Sequence, residues 1–334
     1  MAIALPFLSV YDPAGTGEGS LDPLGMYQIA DRLAVQLVPA VRERMQRIRF
    51  LTAMAVGTRV VEDLDGDPQY RDSEPYLVWE WLVVEAMVRS GGQLDDLSGV
   101  PGTNVVKRAL EGYGHVDARS YLKTPRIFGF HGVYKRVAIQ LEVLNTHLGP
   151  GPNSEDLVQA WARGMGFGPE DLKEVLAFWT QAVERSLRGE PPHTRPNWKA
   201  DHFEELALAF APATAKGWEK TVLRGLLLDK MAHQLRALPQ LWELIASAGS
   251  ESVTEEQLHE QLAEAYPQHA DLVAAIQSYE RFARGLEDAF HRLFVSAQEA
   301  DVHGFPVAAM QDVPEFRECV DGLSERYTAT LAAL

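Results

Sequence analysis

Arginines form the densest group of side chains that could bind a ligand in this 334-residue chain. Arg42, Arg44, Arg47 and Arg49 lie within eight residues. Apolar periodicity predicts a helix through this segment, RERMQRIRFLTAMAVGTRVVE. At about 100° per residue, Arg42 and Arg49 would share one face of that helix, and Arg44 and Arg47 another. Because a guanidinium matches phosphate oxygens in a bidentate manner, the array predicts contacts with a nucleic-acid backbone.

A second basic stretch follows, and aromatic residues interleave with it. Base stacking combined with phosphate contacts requires this mixture of side chains. Its cations, which we assign to nucleic-acid binding, are Lys107, Arg108, Arg119, Lys123, Arg126, Lys135 and Arg136, and its aromatic residues are Tyr113, Tyr121, Phe128, Phe130 and Tyr134. The alternative is a solvated helix face and a loop in which these arginines pair with nearby acids.

An acidic segment, VEDLDGDPQYRDSEP, has the spacing of a calcium loop. Asp63, Asp65, Asp67 and Glu74 occupy positions 1, 3, 5 and 12 of a twelve-residue window, as the oxygen ligands of an EF-hand do. Position 6, which is glycine in such loops, is Pro68 here. We therefore expect an acidic surface turn, and we predict neither a metal site nor a cofactor.

No motif in the chain specifies a reaction. It contains no G-x-S-x-G elbow, no P-loop and no G-x-G-x-x-G fingerprint. The ten histidines show no HExxH motif. His131 lies between Gly129 and Phe130 on one side and Gly132 on the other, and we interpret it as a buried, hydrogen-bonded histidine. The sequence therefore names no catalytic residue.

Composition and charge exclude several classes of protein. Hydrophobic residues make up 46% and charged residues 23%, which is typical of an ordinary globular protein. A net charge of −16 excludes a globally basic nucleic-acid coat, and a single cysteine, Cys319, excludes an internal disulfide framework. The net charge is −3 over residues 1–150 and −13 over residues 151–334, so the acidic excess lies in the second half.

The apolar beginning of the chain does not resemble a targeting segment. It has no basic residue before its apolar run, and no run anywhere approaches the roughly 20 apolar residues of a membrane span. We expect a cytoplasmic protein without membrane contact.

Helical periodicity dominates the chain, and few segments are typical of strands. Pro39 should end a first helix that carries Ile29 and Leu33 on its apolar face, and Pro75 should open a third. The later helices are predicted over 129–146, 154–164, 169–188, 201–211, 215–247, 254–264, 269–301 and 313–332. We predict a mainly α, multi-helix fold of two poorly separated lobes with little or no sheet. The expected domains are a basic N-terminal one, 1–150, and an acidic C-terminal one, 151–334.

Three segments together resemble a group of uncharacterised helical bacterial proteins encoded in antiviral defence islands. They are LVPAVRERMQRIRFLTAMAVG, VPGTNVVKRALEGYGHVDARSYLKTPRIFGF and QSYERFARGLEDAFHRLF. The resemblance implies a helical accessory component of a defence or restriction complex that acts on DNA. It also implies a helicase or a nuclease as the partner, and it carries over no active-site residue.

These observations favour a non-enzymatic subunit of a prokaryotic defence complex. In this hypothesis the N-terminal cations contact DNA or RNA, and the acidic C-terminal half contacts partner proteins. One alternative is a metal-dependent nuclease or hydrolase with ligands from Asp63, Asp65, Asp67 or His131. Another is a scaffold that binds only protein, because the long apolar segments 215–247 and 269–301 could bury surplus surface in an assembly.

Overall fold

The structure, a computed structural model, is mainly α-helical. It describes residues 26–42, 44–64, 73–91, 97–118, 120–121, 129–190, 200–249 and 253–300, with four more residues near the C-terminus. These residues form twelve α-helices and no strand, which confirms the predicted fold class. The helices are α1 (Met26–Leu37), α2 (Phe50–Val61), α3 (Pro75–Arg89), α4 (Thr103–Tyr113), α5 (Phe130–Gln140), α6 (Ser154–Met165), α7 (Pro169–Leu187), α8 (Ala200–Phe210), α9 (Gly217–Gly225), α10 (Leu238–Ala248), α11 (Glu255–Ala265) and α12 (Ala270–Ala300).

Packing divides the chain into two compact units. The larger unit, residues 37–249, contains α2 to α10. The terminal unit joins the N-terminal residues up to Gln36 to the residues from Ser250 onward, and its described helices are α1, α11 and α12. Residue 150, where the sequence predicts a domain boundary, falls inside the larger unit, because α6 packs on α2 and α9.

Helices α2 and α3 form the centre of the larger unit. Eleven of the twelve residues of α2 and twelve of the fifteen residues of α3 are buried. Their sequences, FLTAMAVGTRVV and PYLVWEWLVVEAMVR, are apolar on nearly every side, as a helix enclosed by other helices must be. Helices α5, α7 and α8 pack against both of them.

Aromatic side chains fill the core beside these two helices. The Trp161 and Phe210 rings stack in parallel with their centroids 5.4 Å apart, and Trp79 meets Phe210 edge to face at 5.5 Å. The Trp79 indole N–H donates to the Ala53 carbonyl at 2.8 Å, and the Trp161 N–H donates to the Ala209 carbonyl at 3.0 Å. Both indoles therefore combine a large buried area with a satisfied donor.

Two predicted helices differ from the structure. The helix predicted over the four arginines begins only at Phe50, so the arginines lie in turns and irregular chain before α2. The predicted helix 215–247 is interrupted between α9 and α10 by a π-helical turn and a 3₁₀ turn. Pro239 explains where α10 begins, because proline lacks an amide donor and is tolerated only in the first turn of a helix.

The terminal unit is built on the long helix α12. The Tyr279 hydroxyl donates to the Met26 carbonyl of α1 at 3.1 Å, and Phe282 is buried beside Met26. Ile29 and Leu33 are the buried residues of α1, which confirms its predicted apolar face, and the helix ends two residues before Pro39. Helix α11 also packs against α12.

Candidate nucleic-acid interface

The arginine-rich segment 42–49 lies against two other parts of the larger unit. The Arg47 backbone N–H donates to the Tyr134 hydroxyl of α5 at 2.8 Å. The Arg47 side chain donates from Nε to the Ser98 carbonyl, in the loop that leads to α4, at 3.1 Å. Arg47 therefore connects the arginine segment to α5 and to the loop before α4, through bonds that span 87 and 51 residues of the chain.

The loop before α4 approaches this segment closely. A Cβ atom on Gly99 would lie 2.6 Å from Gln46 Oε1, which is far inside van der Waals contact. Gly99 also has a positive φ of 73°, a conformation that glycine adopts without strain. The glycine thus permits the contact that holds the start of α4 beside the arginine segment.

Helices α4 and α5 each bury one face and expose a pair of cations on the other. On α4, Val106 and Ala109 are buried while Lys107 and Arg108 are exposed. On α5, Tyr134 and Val137 are buried while Lys135 and Arg136 are exposed. Within the described part of the chain, no carboxylate lies within 4 Å of the charged groups of these four side chains. They are therefore available to an external anion.

Arg49 does not belong to this exposed set, which corrects the sequence prediction. Its side chain is 3% exposed. Its Nε and Nη2 atoms donate to the Glu219 carboxylate of α9 at 2.9 and 3.0 Å, and its Nη1 atom bonds to Ala211 and Thr214. A guanidinium that is buried and paired in this way is not accessible to a phosphate.

The other predicted cations fall into two groups. Arg44 is exposed, whereas Arg42 is half-buried and donates to the Val41 carbonyl at 3.1 Å. Three of the predicted cations lie outside the described residues: Arg119, Lys123 and Arg126.

The interleaved aromatic residues do not form a stacking platform. Tyr121, Phe130 and Tyr134 are buried in the core, so the prediction that they stack on bases is wrong. Tyr113, at the end of α4, is 71% exposed and is the described aromatic residue of this set that a base could reach. Phe128 lies outside the described residues.

The acidic calcium-like segment is described only in part. Asp63 is exposed just after α2, and Glu74 is exposed at the N-cap of α3. Asp65 and Asp67 lie outside the described residues. The expectation of an acidic surface turn around these residues stays a prediction.

His131 belongs to a buried polar network around Glu80. The Glu80 carboxylate accepts from the His131 backbone N–H at 2.6 Å and from the Tyr121 hydroxyl at 3.0 Å, and His131 Nδ1 lies 3.0 Å from it. A Cβ atom on Gly129 would lie 1.5 Å from Glu80 Oε1, so the beginning of α5 closes tightly over the carboxylate. This arrangement confirms the interpretation of His131 as a buried, hydrogen-bonded histidine.

Two buried tyrosines beside these contacts resist ionisation. Burial raises the pKa of Tyr134 to about 12, although the neighbouring Arg47 opposes the shift. Burial, reinforced by the Glu80 carboxylate, raises the pKa of Tyr121 well above its usual range. Both hydroxyls therefore stay protonated, and Tyr134 accepts the Arg47 N–H as a neutral phenol.

A group with the geometry of a metal site lies in the terminal unit. Ligand atoms of Glu255 and His259 on α11 and of Glu280 on α12 all lie within 4.8 Å of one another. Our sequence reasoning missed this group. The four-residue spacing of Glu255 and His259 on one helical face was a signal for it, but only packing brings in Glu280.

No protein family model, curated protein or solved structure matches the chain. The resemblance of three segments to defence-island proteins stays a prediction, as does the class of partner that it implies. Among the described helices, none combines the length and the apolar character needed to cross a membrane.

Proposed function

We propose that this protein is a non-enzymatic helical subunit of a prokaryotic antiviral defence complex, and that it contacts nucleic acid through the larger unit. The observation that carries the proposal is the position of Arg47, which bonds both to Tyr134 of α5 and to Ser98 before α4. These bonds anchor the arginine segment to α5 and to the loop that leads to α4, and each of these two helices exposes a pair of adjacent cations.

The distribution of charge between the two units supports the same function. Residues 37–249 carry 25 lysines and arginines against 27 acids, a net charge of −2, although the whole chain carries −16. Because salt screens fields beyond about 8–10 Å, cations on a nearly neutral unit can attract phosphates whatever acids lie farther away than this. The proposed contact is electrostatic and reads no base sequence, since the cations described here would bind the backbone.

The remaining acidic excess suggests a second surface. Residues 1–36 and 250–334 carry 6 basic residues against 20 acids, a net charge of −14. Such a segment repels nucleic acid and favours a basic protein surface, because complementary potentials steer association. We place the contacts with partner proteins of the complex, a helicase or a nuclease, on this part of the chain. The sequence alone predicts these contacts on the acidic C-terminal half as a whole.

The proposal is tested by the affinity of the full chain for duplex and single-stranded DNA and RNA across a salt series. Binding should weaken steeply with salt, and Lys135→Glu/Arg136→Glu should weaken it further. Lys173→Glu/Lys220→Glu is the matched control, because it changes the net charge equally at two exposed lysines on α7 and α9. Absence of binding by the folded wild type would contradict the nucleic-acid role, as would an equal effect of both double variants.

A further inference from the structure

We propose that Glu255, His259 and Glu280 bind a divalent transition-metal ion that clips α11 to α12. Glu255 and His259 lie one helical turn apart on α11, and Glu280 lies on the helix that packs against it. One ligand atom of each residue lies within 4.8 Å of a ligand atom of the other two. Two carboxylates and one imidazole form a ligand set that suits zinc and its neighbours in the first transition row.

The state of His259 is the independent observation that indicates a ligand. The side chain is 6% exposed, and its Nδ1 atom is buried without a hydrogen-bond partner among the described residues. A buried polar atom without a partner destabilises the folded state. A metal-bound histidine normally binds the metal through one ring nitrogen and donates a supporting hydrogen bond from the other. A metal ion bound to His259 would compensate for the unfavourable burial of its imidazole.

The two carboxylates also indicate a cation. A carboxylate oxygen of Glu280, which is half-buried, lies within 4.8 Å of one of Glu255. Two like charges held this close destabilise the helix pair unless a proton or a cation lies between them. The only described guanidinium paired with Glu280 is that of Arg284, at 3.9 Å, and this side chain is 72% exposed. It contributes little neutralisation, and it is free to turn towards solvent when a metal binds.

The surrounding space can hold a hydrated ion. His259 and Glu280 line a cavity of about 250 Å³ together with Glu256, Glu260 and Arg281, whereas Glu255 does not line it. Ligand atoms around such a metal stand about 3–3.5 Å apart, given metal–ligand distances of about 2.0–2.2 Å. Glu255 is exposed and Glu280 is half-buried, so their side chains can make this small adjustment while the buried imidazole stays in place. Three protein ligands leave at least one coordination position for water.

A zinc titration of the tag-free full chain by calorimetry tests the proposal. The wild type should bind one equivalent of Zn²⁺, and the His259→Gln and Glu280→Gln variants should bind it about 100-fold more weakly or worse, since even supporting residues of a metal site cost about 10–100-fold. Glu256→Gln is the matched control, because Glu256 lines the same cavity on α11 without belonging to the three ligands. This control should bind Zn²⁺ as the wild type does.

Thermal unfolding separates a metal ligand from a residue with a merely structural role. Without metal, Glu280→Gln should unfold at the same temperature as the wild type or higher, because it removes the repulsion with Glu255. With Zn²⁺, only the wild type and Glu256→Gln should gain stability, since a ligand that binds the folded state alone stabilises it. Equal Zn²⁺ affinity in all four proteins would overturn the proposal by showing adventitious binding to the chain's other histidines. So would absence of binding by folded wild type, because zinc ranks high in affinity at nitrogen–oxygen sites.

Discussion

Arg49 and Glu219 form a bidentate ion pair that joins the residue before α2 to the first turn of α9. The two side chains are 3% and 1% exposed, and they lie 170 residues apart in sequence. The Thr52 hydroxyl also donates to Glu219, at 2.7 Å, so the carboxylate has several donors. The acidic residue at the beginning of α9 is further favoured by the helix dipole. This pair makes one arginine of the most basic segment an internal anchor.

Breaking this pair from one side should destabilise the larger unit. Arg49→Met leaves the Glu219 carboxylate buried without its cation, which should lower the free energy of unfolding by about 3–5 kcal/mol. Adding Glu219→Gln should restore about 1–3 kcal/mol, because it removes the stranded charge. Urea unfolding measures both values. A double variant that is as unstable as the sum of its single variants would show that the two residues do not interact.

Substitution of the surface cations of α4 should weaken binding to nucleic-acid phosphates and leave the stability of the fold unchanged. Lys107→Ala/Arg108→Ala should reduce the slope of log affinity against log salt by about 2 for duplex DNA, because each lost phosphate contact releases about one counterion fewer. Lys107→Arg/Arg108→Lys keeps both charges and should keep the slope. Fluorescence anisotropy at several salt concentrations measures it, and an unchanged slope in the alanine variant would remove α4 from the proposed interface.

Two glycines on helices should respond oppositely to alanine. A Cβ on Gly57 of α2 would lie 2.5 Å from two atoms of the Trp79 ring, so Gly57→Ala should cost about 1–3 kcal/mol through overpacking. A Cβ on Gly112 of α4 meets nothing within 4 Å, and Gly112→Ala should stabilise by about 0.5 kcal/mol. Thermal unfolding of both variants checks the pair, and a neutral Gly57→Ala would contradict the described packing of α2 on α3.

Alkaline pH should destabilise the larger unit around Tyr134, because burial penalises the ionised phenol more than its contact with Arg47 favours it. The pKa of Tyr134 is about 12 in the folded protein, against an ordinary value of 10.0, so the folded state holds this proton more tightly than the unfolded chain. The stability that this proton contributes is complete below pH 10 and is lost as the pH rises towards 12. Unfolding across this pH range, followed together with tyrosinate absorbance, measures the effect.

Tyr134→Phe is the control for that experiment. It removes the titrating hydroxyl and leaves the Arg47 N–H without its acceptor, which should cost about 1–3 kcal/mol at neutral pH. The same variant should lose less further stability between pH 10 and pH 12 than the wild type does. An identical alkaline profile in both proteins would assign the loss to other groups.

Local features of the sequence determined the helical fold and several helix boundaries. Pro75 and Pro169 open α3 and α7 as predicted, because proline is favoured in the first turn and needs no amide donor there. The nearly continuous apolar character of PYLVWEWLVVEAMVR indicates a central helix, and twelve of its residues are buried. Such properties depend on neighbours within one or two turns, so they can be derived from one chain without its tertiary structure.

The roles of the charged residues were decided only by the tertiary structure. Four arginines lie within eight residues, yet Arg49 is buried against Glu219 while Arg44 is exposed. The difference depends on which carboxylate and which carbonyls arrive from segments 160 or more residues away. Likewise, Glu280 joins Glu255 and His259 only because α12 packs against α11. Local patterns set helices and faces, whereas the partner of a charge is selected by the packing of distant elements.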